Sequence, residues 1–126
     1  MVLGGGFMTD RIGSDPVRHA LVNTASEMMA GTIDVITGTR ELNRLRKQGD
    51  LPMSHAFEVI EAVESETDQY PVGNVREQYS PDLLARLDAW AAACIERATP
   101  SLRDACAAVI REYKGDSNEL EADNPK

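Results

Sequence analysis

Apolar residues recur at helical spacing over most of the chain. In residues 16 to about 47, a row of apolar or small residues repeats every seven positions, and a second row follows four positions after the first. This spacing predicts a long first helix or a helix bent in its middle. The two rows contain Val17, Thr24, Gly31, Gly38 and Leu45, and then Leu21, Met28, Val35 and Leu42.

Two glycines lie on this apolar stripe, Gly31 and Gly38. Each costs about 1 kcal/mol relative to alanine inside a helix, so their presence needs a reason. Either another helix crosses closely there, or the helix breaks near Gly38 and restarts at Thr39 or Arg40, and both explanations can hold. A third arrangement is a homodimer in which two copies of the first helix cross at Gly31 and Gly38.

The next helical segment begins after a turn at residues 48–52. Ser54 is placed to cap its N-terminus, and the segment is predicted to end near Asp68. Glu58 and Glu61 are predicted to point away from the core. The apolar face contains Ala56, Val59, Ile60 and Val63, with Phe57 beside them.

Two further helix starts follow from a capping residue placed before a proline, at Ser80-Pro81 and Thr99-Pro100. Asp15-Pro16 has the same form at the start of the first helix. The short join predicts that the fourth and fifth helices pack as an antiparallel hairpin. The predicted inner face of the fourth helix contains Leu83, Leu84, Leu87, Trp90, Ala91, Cys94, Ile95 and Ala98.

The hairpin would bring Cys94 and Cys106 to the same level, since Pro100 lies midway between them. They are interpreted either as a redox pair or half of a metal site, or as two buried small apolar residues. The two histidines, His19 and His55, are not at metal-ligand spacing, so no metal site is predicted.

The predicted fold is an all-α, up-and-down bundle of four to five helices, because no stretch alternates as a strand does. Residues 1–14 contain three consecutive glycines and are predicted to be a flexible N-terminal arm. Residues 15–114 form the predicted helical domain. Residues 115–126 are polar and acidic and are predicted to be a C-terminal tail.

Charge narrows the classes of partner. The net charge is −8, and the whole excess lies in residues 51–126, which carry seven Lys/Arg against fifteen Asp/Glu. Such a surface repels nucleic acid and favours a partner protein with a basic surface. The chain has no basic and apolar leader, no run of apolar residues long enough to span a membrane, and only two cysteines, so a cytoplasmic protein is expected.

A dense set of carboxylates leads up to residue 68. Glu58, Glu61 and Glu64 are spaced by three, and Glu66 and Asp68 follow. One interpretation is a divalent cation site of a metal-dependent phosphohydrolase, since Mg²⁺ is held by one or two carboxylates with substrate phosphates. The other is a solvated acidic face, because no Glu-x-x-Asp pair follows on a later helix.

Residues 65–81 are the part that helical periodicity does not explain. Pro71 and Gly73 predict a tight turn, and Arg76 is predicted to form an ion pair with Glu66 or Asp68. Ordered loops on rigid scaffolds are frequent recognition surfaces. The predicted binding residues are therefore Glu58, Glu61, Glu64, Glu66, Asp68, Tyr70 and Arg76.

A limited resemblance joins these features. The order Ala30-Gly31-Thr32-Ile33-Asp34, Gly38-x-Arg40-x-Leu42-x-x-Leu45 and Ser65-Glu66-Thr67-Asp68-x-x-Pro71-x-Gly73-x-x-Arg76 resembles small all-helical bacterial proteins with no assigned activity. The resemblance covers about residues 17–113. It implies an all-helical fold and points to residues 65–81, which connect two predicted helices, as a feature of interest. Small acidic proteins of this kind often serve as immunity proteins.

The sequence thus favours a non-enzymatic protein-binding module of immunity or regulatory type. It predicts no catalytic residue and no cofactor, and neither a nucleic acid nor a membrane as partner. The alternatives are a metal-dependent phosphohydrolase that uses the carboxylates of residues 58–68, and a structural homodimer.

Overall fold

The chain was analysed as a computed structural model, which describes residues 15–114, apart from the side chain of Asp15. Within these residues every regular element is a helix, and the predicted all-α, up-and-down bundle is confirmed. The predicted arm and tail, residues 1–14 and 115–126, lie outside the described residues. The elements are α1 (Asp15–Ala30), α2 (Val35–Gln48), α3 (His55–Glu66), a 3-10 helix (Gly73–Gln78) and α4 (Pro81–Tyr113).

The predicted first helix is two helices, and the break is at Gly31 rather than near Gly38. Gly31 has a φ of +80°, a left-handed conformation that ends α1 and that side chains other than glycine rarely adopt. Asp34 then begins α2, because its carboxylate accepts hydrogen bonds from the backbone N–H and the hydroxyl of Thr37, at 2.9 and 3.1 Å. Sequence spacing missed this cap since the seven-residue period runs unbroken across it.

The close crossing predicted at the glycines is confirmed at Gly38. A Cβ atom at this position would lie 2.5 Å from both Cγ and Sδ of Met28. Gly38 is buried in α2, and Met28 lies near the end of α1. The missing side chain therefore lets α1 and α2 pack closely after the turn that joins them.

The core lies between α1, α2, α3 and the C-terminal half of α4. Arg18 of α1 lies over the ring of Tyr113, 5.6 Å from its centroid, and Phe57 of α3 meets the same ring edge-on at 6.3 Å. The beginnings of α1 and α3 thus lie beside the end of α4, so both helices run antiparallel to it. The largest fully buried apolar side chains include Leu21, Ile36, Leu42, Phe57, Ile60 and Val109.

The N-terminus of α3 follows the sequence prediction. Ser54 accepts a hydrogen bond from the backbone N–H of Phe57 at 3.3 Å, and Ala56, Ile60 and Val63 are buried with Phe57. The helix ends at Glu66, two residues before the predicted position.

The predicted hairpin of a fourth and a fifth helix is wrong. Pro100 lies inside α4, which continues through it. Proline in a helix interior costs about 3 kcal/mol because it lacks an N–H and its ring crowds the preceding turn. Buried residues lie on both sides, among them Cys94 before it and Leu102 after it, and their packing outweighs that local cost.

Two consequences follow from one continuous α4. Cys94 and Cys106 lie about 18 Å apart along the axis, so the prediction that they share a level is wrong. The inner face predicted for the fourth helix is also wrong for two residues, since Leu83 is 36% exposed and Trp90 is 40% exposed. No helix within residues 15–114 combines the length and the apolar character needed to cross a membrane.

Candidate functional site

The connector between α3 and α4 consists of residues 67–80. Arg40 of α2 holds its first part by hydrogen bonds. Its Nη2 donates to the carbonyl oxygens of Thr67, Tyr70 and Asp68, at 2.8, 2.9 and 3.4 Å. The C-terminus of a helix leaves carbonyl groups without intrahelical partners and carries negative partial charge, which a guanidinium satisfies. Sequence reasoning missed this role because main-chain carbonyls carry no residue type that a motif can show.

Arg76 fastens the second part of the connector to α4. Its Nη2 donates to both carboxylate oxygens of Asp88, at 3.1 and 3.0 Å, and its Nη1 donates to the Tyr70 hydroxyl at 3.0 Å and to the Pro71 carbonyl at 3.2 Å. The Tyr70 hydroxyl in turn donates to Asp88 at 2.5 Å. The predicted ion pair of Arg76 with Glu66 or Asp68 is therefore wrong, because the turn directs Arg76 towards α4.

These contacts shift the protonation of the three groups. Hydrogen bonds from Arg76 and Tyr70 lower the pKa of the Asp88 carboxyl below its usual value. Hydrogen bonds to Asp88 and Tyr70 raise the pKa of Arg76, and burial followed by the bond to Asp88 raises the pKa of Tyr70. The connector is thus held by a charged pair and a protonated phenol at neutral pH.

Four of the five predicted carboxylates share one surface. Glu58, Glu61, Glu64 and Asp68 line a shallow concavity of about 430 Å³ along α3 and the residues just after it, and Lys47 of α2 lines it as well. Glu58 and Asp68 are exposed, and Glu61 and Glu64 are half-buried. We call these four residues the acidic face.

Only some carboxylates of the acidic face are bonded to other residues of this chain. Glu64 accepts a hydrogen bond from Asn43 of α2 at 2.5 Å, which fixes the carboxylate against the neighbouring helix. Glu58 lies 3.6 Å from the Nδ1 atom of His55, one turn earlier on α3. Within residues 15–114, no group of three or more His, Cys, Asp or Glu side chains is arranged to hold a metal ion.

Glu66 lies apart from the acidic face and turns towards α4. Its Oε2 accepts a hydrogen bond from Arg97 at 3.2 Å and lies 3.7 Å from the Sγ atom of Cys94. Tyr70 and Arg76 likewise face α4. The seven predicted binding residues therefore divide into the acidic face and three residues that contact α4.

The two cysteines are buried in the bundle, and Gly31 and Gly38 have structural roles. Cys94 and Cys106 are buried thiols and form no disulfide, and burial raises the pKa of Cys106. Gly38 packs against Met28, and exposed Gly31 terminates α1. The predicted dimer contact at Gly31 and Gly38 thus lacks the single continuous helix on which it was based.

Sequence reasoning also missed an exposed apolar surface near the connector. Val75 of the 3-10 helix is 42% exposed, and Leu83 and Trp90 follow on the first half of α4. The signal was present in the apolar spacing of residues 83–95, but the predicted hairpin assigned all of it to the interior.

Comparisons of this chain with protein-family models, with curated proteins and with solved structures gave no match.

Proposed function

We propose that this chain is a non-enzymatic protein-binding module of immunity or regulatory type, and that its acidic face covers a basic surface on a partner protein. The observation that carries the proposal is the gathering of Glu58, Glu61, Glu64 and Asp68 on one surface, formed by α3 and the residues just after it. A lysine- or arginine-rich patch is the complementary chemistry for such a surface.

Preorganisation supports this function. The Ser54 cap holds the start of α3, and the hydrogen bonds from Arg40 hold the chain just after its end. Asn43 fixes the orientation of Glu64 from the neighbouring helix. A partner would therefore meet carboxylates whose backbone is already ordered, so that little conformational entropy is lost on binding.

The phosphohydrolase alternative has no comparable support. A metal-dependent mechanism needs carboxylates that converge on one cation, and Glu66 is bonded to Arg97 on α4 instead. The carboxylates of the acidic face spread around a wide, shallow concavity. We therefore place the binding function first.

Charge reversal tests the proposal. The full chain, tagged and used to recover proteins from a lysate of its source cell, is compared with the triple variant Glu58→Lys, Glu61→Lys and Asp68→Lys. We expect the wild type to recover a basic protein at low salt and the triple variant to lose it, with at least about a tenfold drop in recovery.

A matched control variant makes the same change in net charge on another surface of the molecule. The exposed α4 residues Glu96, Asp104 and Glu112 are changed to lysine together, and this variant is expected to retain the partner. Equal loss in both triple variants would mean that only the total charge matters, and recovery of the partner by the α3 variant would refute the acidic face as its site.

A further inference from the structure

A small hollow lies where α1 ends and α2 begins, against the second half of α4. Its volume is about 70 Å³, and its lining includes three residues that carry sulfur, Met28 and Met29 of α1 and Cys106 of α4. A single water molecule needs roughly 10 to 15 Å³, so the hollow has room for small solutes. Thr99 and Arg103, which also line it, are exposed. The hollow therefore opens to solvent.

Met28 belongs both to this hollow and to the contact between α1 and α2. Its Cγ and Sδ atoms occupy the space left by Gly38 of α2, where a Cβ atom would lie 2.5 Å from each of them. Met28 is part of the hydrophobic core and keeps 8% of its surface exposed. Its thioether thus packs between two helices, on a side chain that also borders a space small solutes can enter.

The sulfur groups of the hollow differ in their reactivity towards a peroxide. A cysteine reacts as the thiolate, and burial raises the pKa of the Cys106 thiol, while the charge of Arg103 offsets only part of this rise. Cys106 therefore remains a thiol at neutral pH, which is its slowly reacting form. A thioether has no proton to lose and reacts without ionisation, so Met28 and Met29 are the reactive groups.

We propose that Met28 is a reversible oxidation site, at which a peroxide that enters the hollow converts the thioether to the sulfoxide and loosens the contact between α1 and α2. The sulfur attacks one oxygen of hydrogen peroxide, and the S–O bond forms as the O–O bond breaks. The other oxygen leaves as water, so sulfur loses the two electrons that the peroxide gains. Methionine sulfoxide reductases reverse the change with electrons from a thiol.

The sulfoxide does not fit where the thioether lies. The side of Met28 that faces Gly38 leaves no room for a Cβ atom, and therefore none for an added oxygen. The oxygen is also a hydrogen-bond acceptor, and burying it without a donor is unfavourable. The oxidised side chain must turn out towards the hollow, which removes it from the contact with Gly38.

The contact matters beyond these two residues because α2 also holds α3 and the connector. Arg40 and Asn43 follow Gly38 on α2, and they bond the Thr67 carbonyl and the Glu64 carboxylate. A shift of α2 away from α1 would change the support of both. The oxidation site does not rest on the proposed function, since neither Met28 nor Gly38 belongs to the acidic face and its tests involve no partner.

Mild oxidation of the folded full chain tests whether Met28 is reached. The chain is treated with dilute hydrogen peroxide, and peptide mapping by mass spectrometry follows each of the five methionines. We expect Met53, which is 42% exposed, to react first, and Met28 and Met29 to react next, with Cys106 still a thiol. Sucrose, which favours the folded state, should leave the rate at Met28 unchanged. Reaction of Met28 only as fast as the chain unfolds would overturn the proposal.

Chemical denaturation of the oxidised chain measures the effect on packing. The ratio of folded to unfolded chain should fall at least about fivefold, and treatment with the reductases should restore it. Met28→Leu, which has a similar volume, should keep its stability after the same oxidation. Met53→Leu is the matched control and should lose stability as the wild type does. Unchanged stability of a chain oxidised at Met28, or an equal loss in Met28→Leu, would refute the proposed site.

Limited proteolysis of half-oxidised wild type provides a measurement that needs no variant. A protease cleaves the least stable chains first, so the cleaved fraction should be enriched in the sulfoxide of Met28. The sulfoxide of Met53 should be divided evenly between the cleaved and the intact chains. An even division of the Met28 sulfoxide would contradict a role of this residue in holding α1 against α2.

Discussion

At the scale of single residues, two features decide how the chain turns. Gly31 adopts a backbone conformation closed to most side chains, and Gly38 provides space for Met28. Both glycines were visible in the sequence, but their separate roles were not. A seven-residue period records which side of a helix is apolar, and the four-residue turn between α1 and α2 leaves that period intact.

Gly38→Ala should destabilise the chain in spite of the better helix propensity of alanine. The added Cβ would lie 2.5 Å from Met28, which must shift, and such overpacking costs about 1 to 3 kcal/mol, whereas propensity returns about 1 kcal/mol. We expect the free energy of unfolding, measured with chemical denaturant, to fall by about 1 kcal/mol. In the Gly38→Ala background, Met28→Ala should cost less than it does in the wild type. Equal or greater stability of Gly38→Ala would contradict this contact.

At the scale of elements, α4 and the connector show which features local sequence patterns predict and which they do not. The caps at Ser54 and Ser80 and the apolar face of α3 were predicted because each depends on residues a few positions apart. The continuity of α4 through Pro100 was not, because it depends on packing against α1 and α3. The partner of Arg76 was missed for the same reason: Asp88 lies on the far side of a turn whose direction no local pattern sets.

Protonation of Asp88 should loosen the connector in acid. Arg76 and Tyr70 lower the pKa of Asp88 in the folded chain, so its stabilising contribution is complete above about pH 4, the usual value for an unfolded aspartate. The contribution is lost as the pH falls through the lower folded pKa. The difference in free energy of unfolding between wild type and Asp88→Asn should thus be constant near neutral pH and shrink below about pH 4.

The control for this pH dependence removes the arginine. In the Arg76→Gln background, Asp88→Asn should produce a smaller effect near neutral pH, because Arg76, which lowers the pKa of Asp88 the most, is gone. An Asp88→Asn effect that is the same in both backgrounds would mean that the ion pair contributes nothing to the stability of the connector.

At the scale of the whole molecule, the acidic charge and the helical fold were predictable from composition and spacing, and the acidic face in large part. Glu58, Glu61 and Glu64 share a helix side by their spacing, and the chain just beyond α3 brings Asp68 to them. The exposure of Leu83 and Trp90 was not predictable, since the sequence pattern placed both on the inner face of a hairpin that does not form.

The salt dependence of partner binding tests the central proposal most directly. The association rate of the wild-type chain with the protein that it recovers is measured at low and at high ionic strength. Electrostatic attraction to the acidic face should make this rate fall steeply as salt screens it, while the dissociation rate changes much less. An association rate independent of salt, or recovery of no partner protein at either salt, would contradict a binding function of the acidic face.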